Sequence, residues 1–217
     1  MHEWKDILAA LATLVASFAG AWAAFVLESR RRKNEENERV IGGANRAIYT
    51  LYYQWNVLEQ YRKEVLELFR GKPDAWLNVA ANPCTPEGDY KFDAAQLQFL
   101  LQRGKADSYV SLMLEEQRFK LAIDLIKTRS ELVLNEVFPR MAAAGINIGQ
   151  PLLQGDVERV LGIDVTHKLK KLTAAIYTNV DEDLASLREA HDMLQSTMKN
   201  LYPKKKFIQV QFQESAK

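Results

Sequence analysis

Residues 7–27 read ILAALATLVASFAGAWAAFVL and run directly into Glu28-Ser29-Arg30-Arg31-Arg32-Lys33. About twenty apolar residues suffice for a helix to cross a bilayer core, and lysine and arginine beside such a run are retained on the cytoplasmic side. The expectation is an all-α chain with a single transmembrane helix over residues 1–27. Its topology would be set by Arg30, Arg31, Arg32 and Lys33. The N-terminus would lie outside a bacterial-type inner (plasma) membrane, and the rest of the chain would form a cytoplasmic domain. Two other readings of the run are weaker. A cleaved signal peptide would use Ala21-Trp22-Ala23, but Met1 to Asp6 is not a basic n-region and the apolar run is long for that purpose. A buried soluble helix would not need so long a charge-free interior.

Within the run, Ala12, Ala16, Gly20 and Ala24 recur every fourth residue, beside a second row of Ala9, Thr13, Ser17 and Ala21. Small residues at this spacing let helix backbones approach closely in lipid, so the row predicts packing between copies of the chain. Residues 28–43 read as a charged stalk ending in a Gly42-Gly43 hinge, glycine costing a helix about 1 kcal/mol.

Residues 44–202 carry the periodicity of a helical bundle of three long helices and a short one. A helix over 44–70 presents Ile48, Leu51, Trp55, Leu58, Val65 and Phe69 at intervals of three and four or their sums, with Arg62 on the same seam. Gly71-Lys72-Pro73 ends it, and a loop follows around Cys84. Asp93, with Gln96 three residues on, resembles an N-cap opening a short helix through Leu101 that Gly104 closes. A long helix over 107–143 has two apolar stripes, Phe119, Ile123, Ile126, Val133, Val137 and Leu114, Leu121, Leu125, Leu132. A helix apolar on so much of its circumference is expected at the centre of a bundle. After a Gly- and Pro-rich connection with a helical turn at 156–161, the last helix over 164–201 repeats Leu169, Leu172, Ile176, Val180, Leu184, Leu187, Leu194 and Met198, and Pro203 stops it. The tail, 203–217, opens with lysines and continues Phe207-Ile208-Gln209-Val210-Gln211-Phe212. That alternation is strand-like, and a lone strand must dock, pair with another chain or stay unstructured.

Chemistry is sparse. With 29 basic and 28 acidic residues, the chain offers no electrostatic case for nucleic acid as a partner. One cysteine precludes an internal disulfide. His2, His167 and His191 are too scattered for a zinc motif, and Gly42-Gly43 is not a phosphate-binding loop. No metal, no cofactor and no catalytic residue is expected. Glu115-Glu116 and Asp181-Glu182-Asp183 read as solvated faces, because neighbours on a helix point about 100° apart. The polar residues worth testing lie on apolar seams: Arg62 and His191, which together with Asp124 would make a polar core cluster if the bundle joined them.

The layout of a basic-flanked N-terminal helix before a small helical bundle resembles the membrane accessory proteins of RNA-guided RNase systems, which have HEPN-like helical domains and assemble into pores. That resemblance implies an oligomeric, ligand- or RNA-sensing effector. The HEPN signature sets arginine and histidine four to six residues apart, whereas Arg188-Glu-Ala-His191 has only two between them, so no catalytic residue carries over. The residues themselves support a membrane-anchored, non-enzymatic module that self-associates as a homo-oligomer or docks a protein partner, with the lipid bilayer as its other partner.

Overall fold

The computed structural model describes residues 3–82, 86, 90–146 and 154–212, the side chains of 3–10, 12, 13 and 154 excepted. Cys84, His2 and the Gly- and Pro-rich stretch 147–153 lie outside the described residues. The chain divides into two compact units, Met1–Gly43 and Ala44–Lys217. No strand occurs among the described residues.

The first unit is helical throughout its described length, as the leading part of helix α1 (Glu3–Tyr61). It contains no proline and much alanine, and its charged stretch is laced by pairs one turn apart: Arg32 to Glu28 at 2.9 Å and Arg31 to Glu35 at 3.6 Å. Gly42 and Gly43 do not break α1. Neither has positive φ, and a side chain at Gly42 would meet nothing within 4 Å.

One expectation is overturned. Among the described residues, no helix is long and apolar enough to cross a membrane, so the single-pass inner-membrane placement, with its outside N-terminus and cytoplasmic domain, is withdrawn. The physical reason is in the run itself. Of the 17 residues 11–27, nine are Ala, Gly, Ser or Thr, whose side chains carry little apolar surface, and Glu28 follows at once.

The second unit is a helical bundle. Its α1 portion buries Ile48, Leu51, Trp55, Leu58 and Tyr61. A π-helical turn, Arg62–Leu66, and a 3-10 turn, Glu67–Phe69, then end the helix. The extra residue in the π turn advances the register, so Val65 and Leu66 are buried together while Phe69 is only half-buried. Short helix α2 (Ala75–Asn78) follows. Helix α3 (Ala94–Gln102) opens at Asp93, whose carboxylate accepts from the Ala95 and Gln96 amides at 3.0 and 3.2 Å.

Helix α4 (Ala106–Leu132) passes through a second π turn, Val133–Val137, into α5 (Phe138–Ala143). The first of its two apolar stripes is largely buried, and the second is buried only at its end, where Leu132 joins the core and Leu125 is half-buried. Leu112, Phe119, Ala122, Ile126, Val133 and Val137 face the core, whereas Leu114 and Leu121 are exposed. Helix α4 is therefore not surrounded on all sides. Helix α6 (Gln154–Leu161) gives way at Gly162 to α7 (Ile163–Leu201), which packs along α4. Gly162 has φ 79°, a left-handed conformation that disfavours a side chain, and Arg140 donates at 2.6 Å to the Leu161 carbonyl at this corner. Beneath it lie Trp76, Leu132, Val137, Met141, Val157, Leu161, Val165 and Leu169, one apolar cluster shared by α2, α4, α5, α6 and α7.

Candidate functional site

The leading part of α1 has two contrasting faces. At 100° per residue, Leu11, Leu14, Val15, Phe18, Trp22 and Phe25 fall within about 100° of one another, and all are between 55% and 76% exposed. Positions 11, 18 and 25 are seven apart, with Leu14 and Ala21 between them, the spacing of a coiled-coil seam. Ala16, Gly20 and Ala24 occupy the opposite face and are exposed as well, with nothing within 4 Å of where a Gly20 side chain would begin. The Ala12 side chain lies outside the described residues. Arg30, Arg31, Arg32 and Lys33 are exposed. Hydrogen bonding from Arg32 is the chief cause that holds the Glu28 carboxyl below its ordinary value.

In the second unit, the cluster expected of Arg62, Asp124 and His191 is not assembled. Arg62 is partly exposed and pairs along its own helix with the buried Glu59 at 2.8 Å, Lys63 lying 3.2 Å from the same carboxylate. Asp124 is exposed on α4. His191 is buried on α7, where its Nδ1 meets Asp192 at 2.9 Å and its Nε2 meets the Gln195 amide nitrogen at 3.3 Å. A single tautomer, with the proton on Nδ1, serves both contacts.

What His191 does meet is the tail. Residues 206–212 lie along the bundle in an irregular path without strand pairing. Phe207 is buried. Both polar backbone groups of Ile208 are clamped by side chains: its amide donates to Asn45 Oδ1 at 3.0 Å and its carbonyl accepts from Gln195 Nε2 at 2.9 Å. The Phe212 ring then sits edge-on to His191 at 4.7 Å and to Trp55 at 5.0 Å, with Tyr52 at 6.0 Å. The Arg188 guanidinium lies 5.8 Å from the same ring, a cation–π arrangement. Arg188 and His191 thus converge on an aromatic side chain of the chain itself. Beside this seat runs a groove of about 580 Å³ lined by Tyr52, Trp55, Glu59, Lys63 and Gln209 to Gln211 among others.

Two further polar groups lie apart from that expected cluster, and they include Glu115 and Asp183, which are buried rather than on the solvated faces expected of them. Arg129 is 1% exposed and has no carboxylate partner among the described residues. Its Nε donates to Thr173 Oγ1 at 2.8 Å, and Nη2 donates to the carbonyls of Trp76 and Val79 at 3.1 and 2.7 Å, with a longer contact from Nη1 to Ala80. Burial pushes its pKa down, although the nearby Tyr61 and Tyr177 hydroxyls work the other way. The neighbouring Ser130 hydroxyl exchanges bonds with the Asn82 amide and carbonyl. Together the two side chains pin the chain leaving α2 onto α4. The signal was the break in the α4 stripe between Ile126 and Val133, which Arg129 and Ser130 fill.

The second group is Glu115 with Asp183, both buried on facing sides of α4 and α7. Glu115 accepts from Arg118 at 2.8 Å and from the Ser186 hydroxyl at 2.7 Å. Asp183 Oδ2 is buried without a partner among the described residues. Desolvation first, and then the Glu115 charge, raise its pKa to about 6. Asp181 in the same acidic run has a separate role, receiving both terminal nitrogens of Arg70 at 2.9 Å. Among the described residues, no group of three or more His, Cys, Asp or Glu could hold a metal ion. No protein-family model, no curated protein and no solved structure matches the chain.

Proposed function

We propose that this chain is a non-enzymatic interaction module, a helical bundle that self-associates through the leading part of α1. The observation that carries the reading is the exposed seam of Leu11, Leu14, Val15, Phe18, Trp22 and Phe25. A contiguous apolar patch of this kind on an otherwise polar chain marks an interaction surface. Burying large apolar side chains releases about 1.5–3 kcal/mol each, so six of them meeting an equivalent seam supply on the order of 10 kcal/mol. That exceeds the lower estimates of what association costs in lost freedom. A second copy is the natural occupant because the heptad spacing is self-complementary, and Arg31 and Glu36 sit at flanking positions where they pair between parallel helices.

The test is the oligomeric state of the full chain by sedimentation at micromolar concentration, compared with a variant carrying Phe18→Ser and Phe25→Ser. The parent should sediment as an oligomer and the double variant as a monomer with unchanged far-ultraviolet circular dichroism. A monomeric parent would overturn the reading. So would a parent that binds lipid vesicles but never itself.

A further inference from the structure

The seat of the C-terminal segment is made by side chains that would read any extended chain of the right pattern. Asn45 and Gln195 satisfy the amide and carbonyl of one residue, Ile208. A buried pocket takes Phe207, and four side chains, Tyr52, Trp55, Arg188 and His191, surround the ring of Phe212. Among the described residues, no backbone-to-backbone hydrogen bond ties 206–212 to the bundle. The tether from α7 is a short turn, Tyr202 to Lys206, closed by the Lys205 amide on the Tyr202 carbonyl at 3.0 Å, with exposed lysines at 204 to 206. At its root the Tyr202 hydroxyl is buried without a partner among the described residues. An open groove between Gln209 to Gln211 and the α1 side leaves that flank of the segment uncovered.

We infer that this seat is a docking site for the C-terminal segment of a second copy, which exchanges with the chain's own. The occupant is specified by what already fills the site: an extended stretch with an aromatic residue at each end, an aliphatic residue two before the last, and glutamines facing outward. Among the described residues, the side-chain clamps on Ile208 and the aromatic contacts of Phe212 come from the seat, so the tether decides only which copy supplies the segment. Exchange of an identical segment is an inexpensive route to association. Tethering gives the chain's own segment a millimolar-range effective concentration, so weakening it should open the seat to a segment supplied in trans. This association is independent of the α1 seam.

The experiment uses a fluorescent peptide of residues 204–212 and full-length protein, with binding followed by anisotropy. A chain carrying Phe212→Ala, whose own segment is poorly seated, should bind the parental peptide at least tenfold more tightly than the parent chain does. A peptide carrying the same substitution should bind at least tenfold more weakly to both chains. Adding Gln195→Ala to the Phe212→Ala chain should weaken its peptide binding. Equal affinity of parent and Phe212→Ala chains for the parental peptide would overturn the inference, as would no saturable binding to either. Amide exchange on the unmodified parent chain supplies a second reading. The Ile208 amide should exchange at least a hundredfold faster than the amides of Leu187 and Leu194, and equal protection would refute release of the segment.

Discussion

Asp183 shows how much one buried group can bias this bundle. The residue is 6% exposed, and its carboxyl lies near the Glu115 charge and has a pKa raised from 3.8 to about 6. Because the folded-state value lies above the unfolded one, the fold favours the protonated acid. The group's relative contribution is fully present below about pH 4 and is lost as pH rises through 6. Between those limits the loss is on the order of 2–3 kcal/mol. Asp183→Asn removes the titration, so the variant should gain stability over the parent at pH 7.5, about half as much at pH 5 and little at pH 4, as read by urea midpoints at the three values. Arg129 biases stability in the opposite sense. Arg129→Met would leave the Trp76 and Val79 carbonyls buried without their donor, and each orphaned polar group costs about 1–3 kcal/mol. The expected loss is about 3–5 kcal/mol, measured as a drop in the urea midpoint with unchanged slope.

At the scale of elements, the π turns explain where periodicity misleads. A seam read at 3.6 residues per turn puts Phe69 in the core and Arg62 beside it, whereas the turn at Arg62–Leu66 inserts one residue and swings Phe69 to a half-buried position. Helix α4 misleads differently. Its second leucine stripe is apolar by sequence, yet Leu114 and Leu121 face outward while Leu132 is buried, because periodicity reports which residues share a face and not how many neighbours the fold supplies. The exposed seam of α1 behaves as an element in its own right. The Phe18 and Phe25 substitutions should therefore abolish self-association while leaving the thermal midpoint of the Ala44–Lys217 unit within a few degrees of the parent. The tail likewise failed as a strand and succeeded as a docked segment, since single side-chain clamps and an aromatic seat replaced a pairing partner.

For the whole molecule, the prediction concerns independence. The described large side chains of residues 11–27 are almost all exposed and contribute nothing to the cluster under α2, α4, α5, α6 and α7. A chain lacking residues 1–27 should therefore unfold cooperatively with a midpoint within a few degrees of the full chain, while sedimenting as a monomer. A truncated chain without a cooperative transition would show that the bundle needs the missing part of α1. The peptide-exchange property should survive in that shortened chain, because all of its determinants lie in the second unit.

The sequence by itself determined the helices. The Asp93 cap, the stop at Pro203 and the seam of α7 follow from local propensity and spacing, which act within a few turns of chain, whereas the membrane span read from the apolar run and the far end of the α1 seam did not hold. Tertiary structure decided what those seams meet. It separated Arg62, Asp124 and His191, gave His191 and Arg188 the ring of Phe212, buried Arg129 among carbonyls, and set Asp183 against Glu115. Each of those pairings joins residues tens of positions apart or depends on burial. Neither is encoded in a local pattern, because contact across a bundle depends on helix register and crossing rather than on sequence distance.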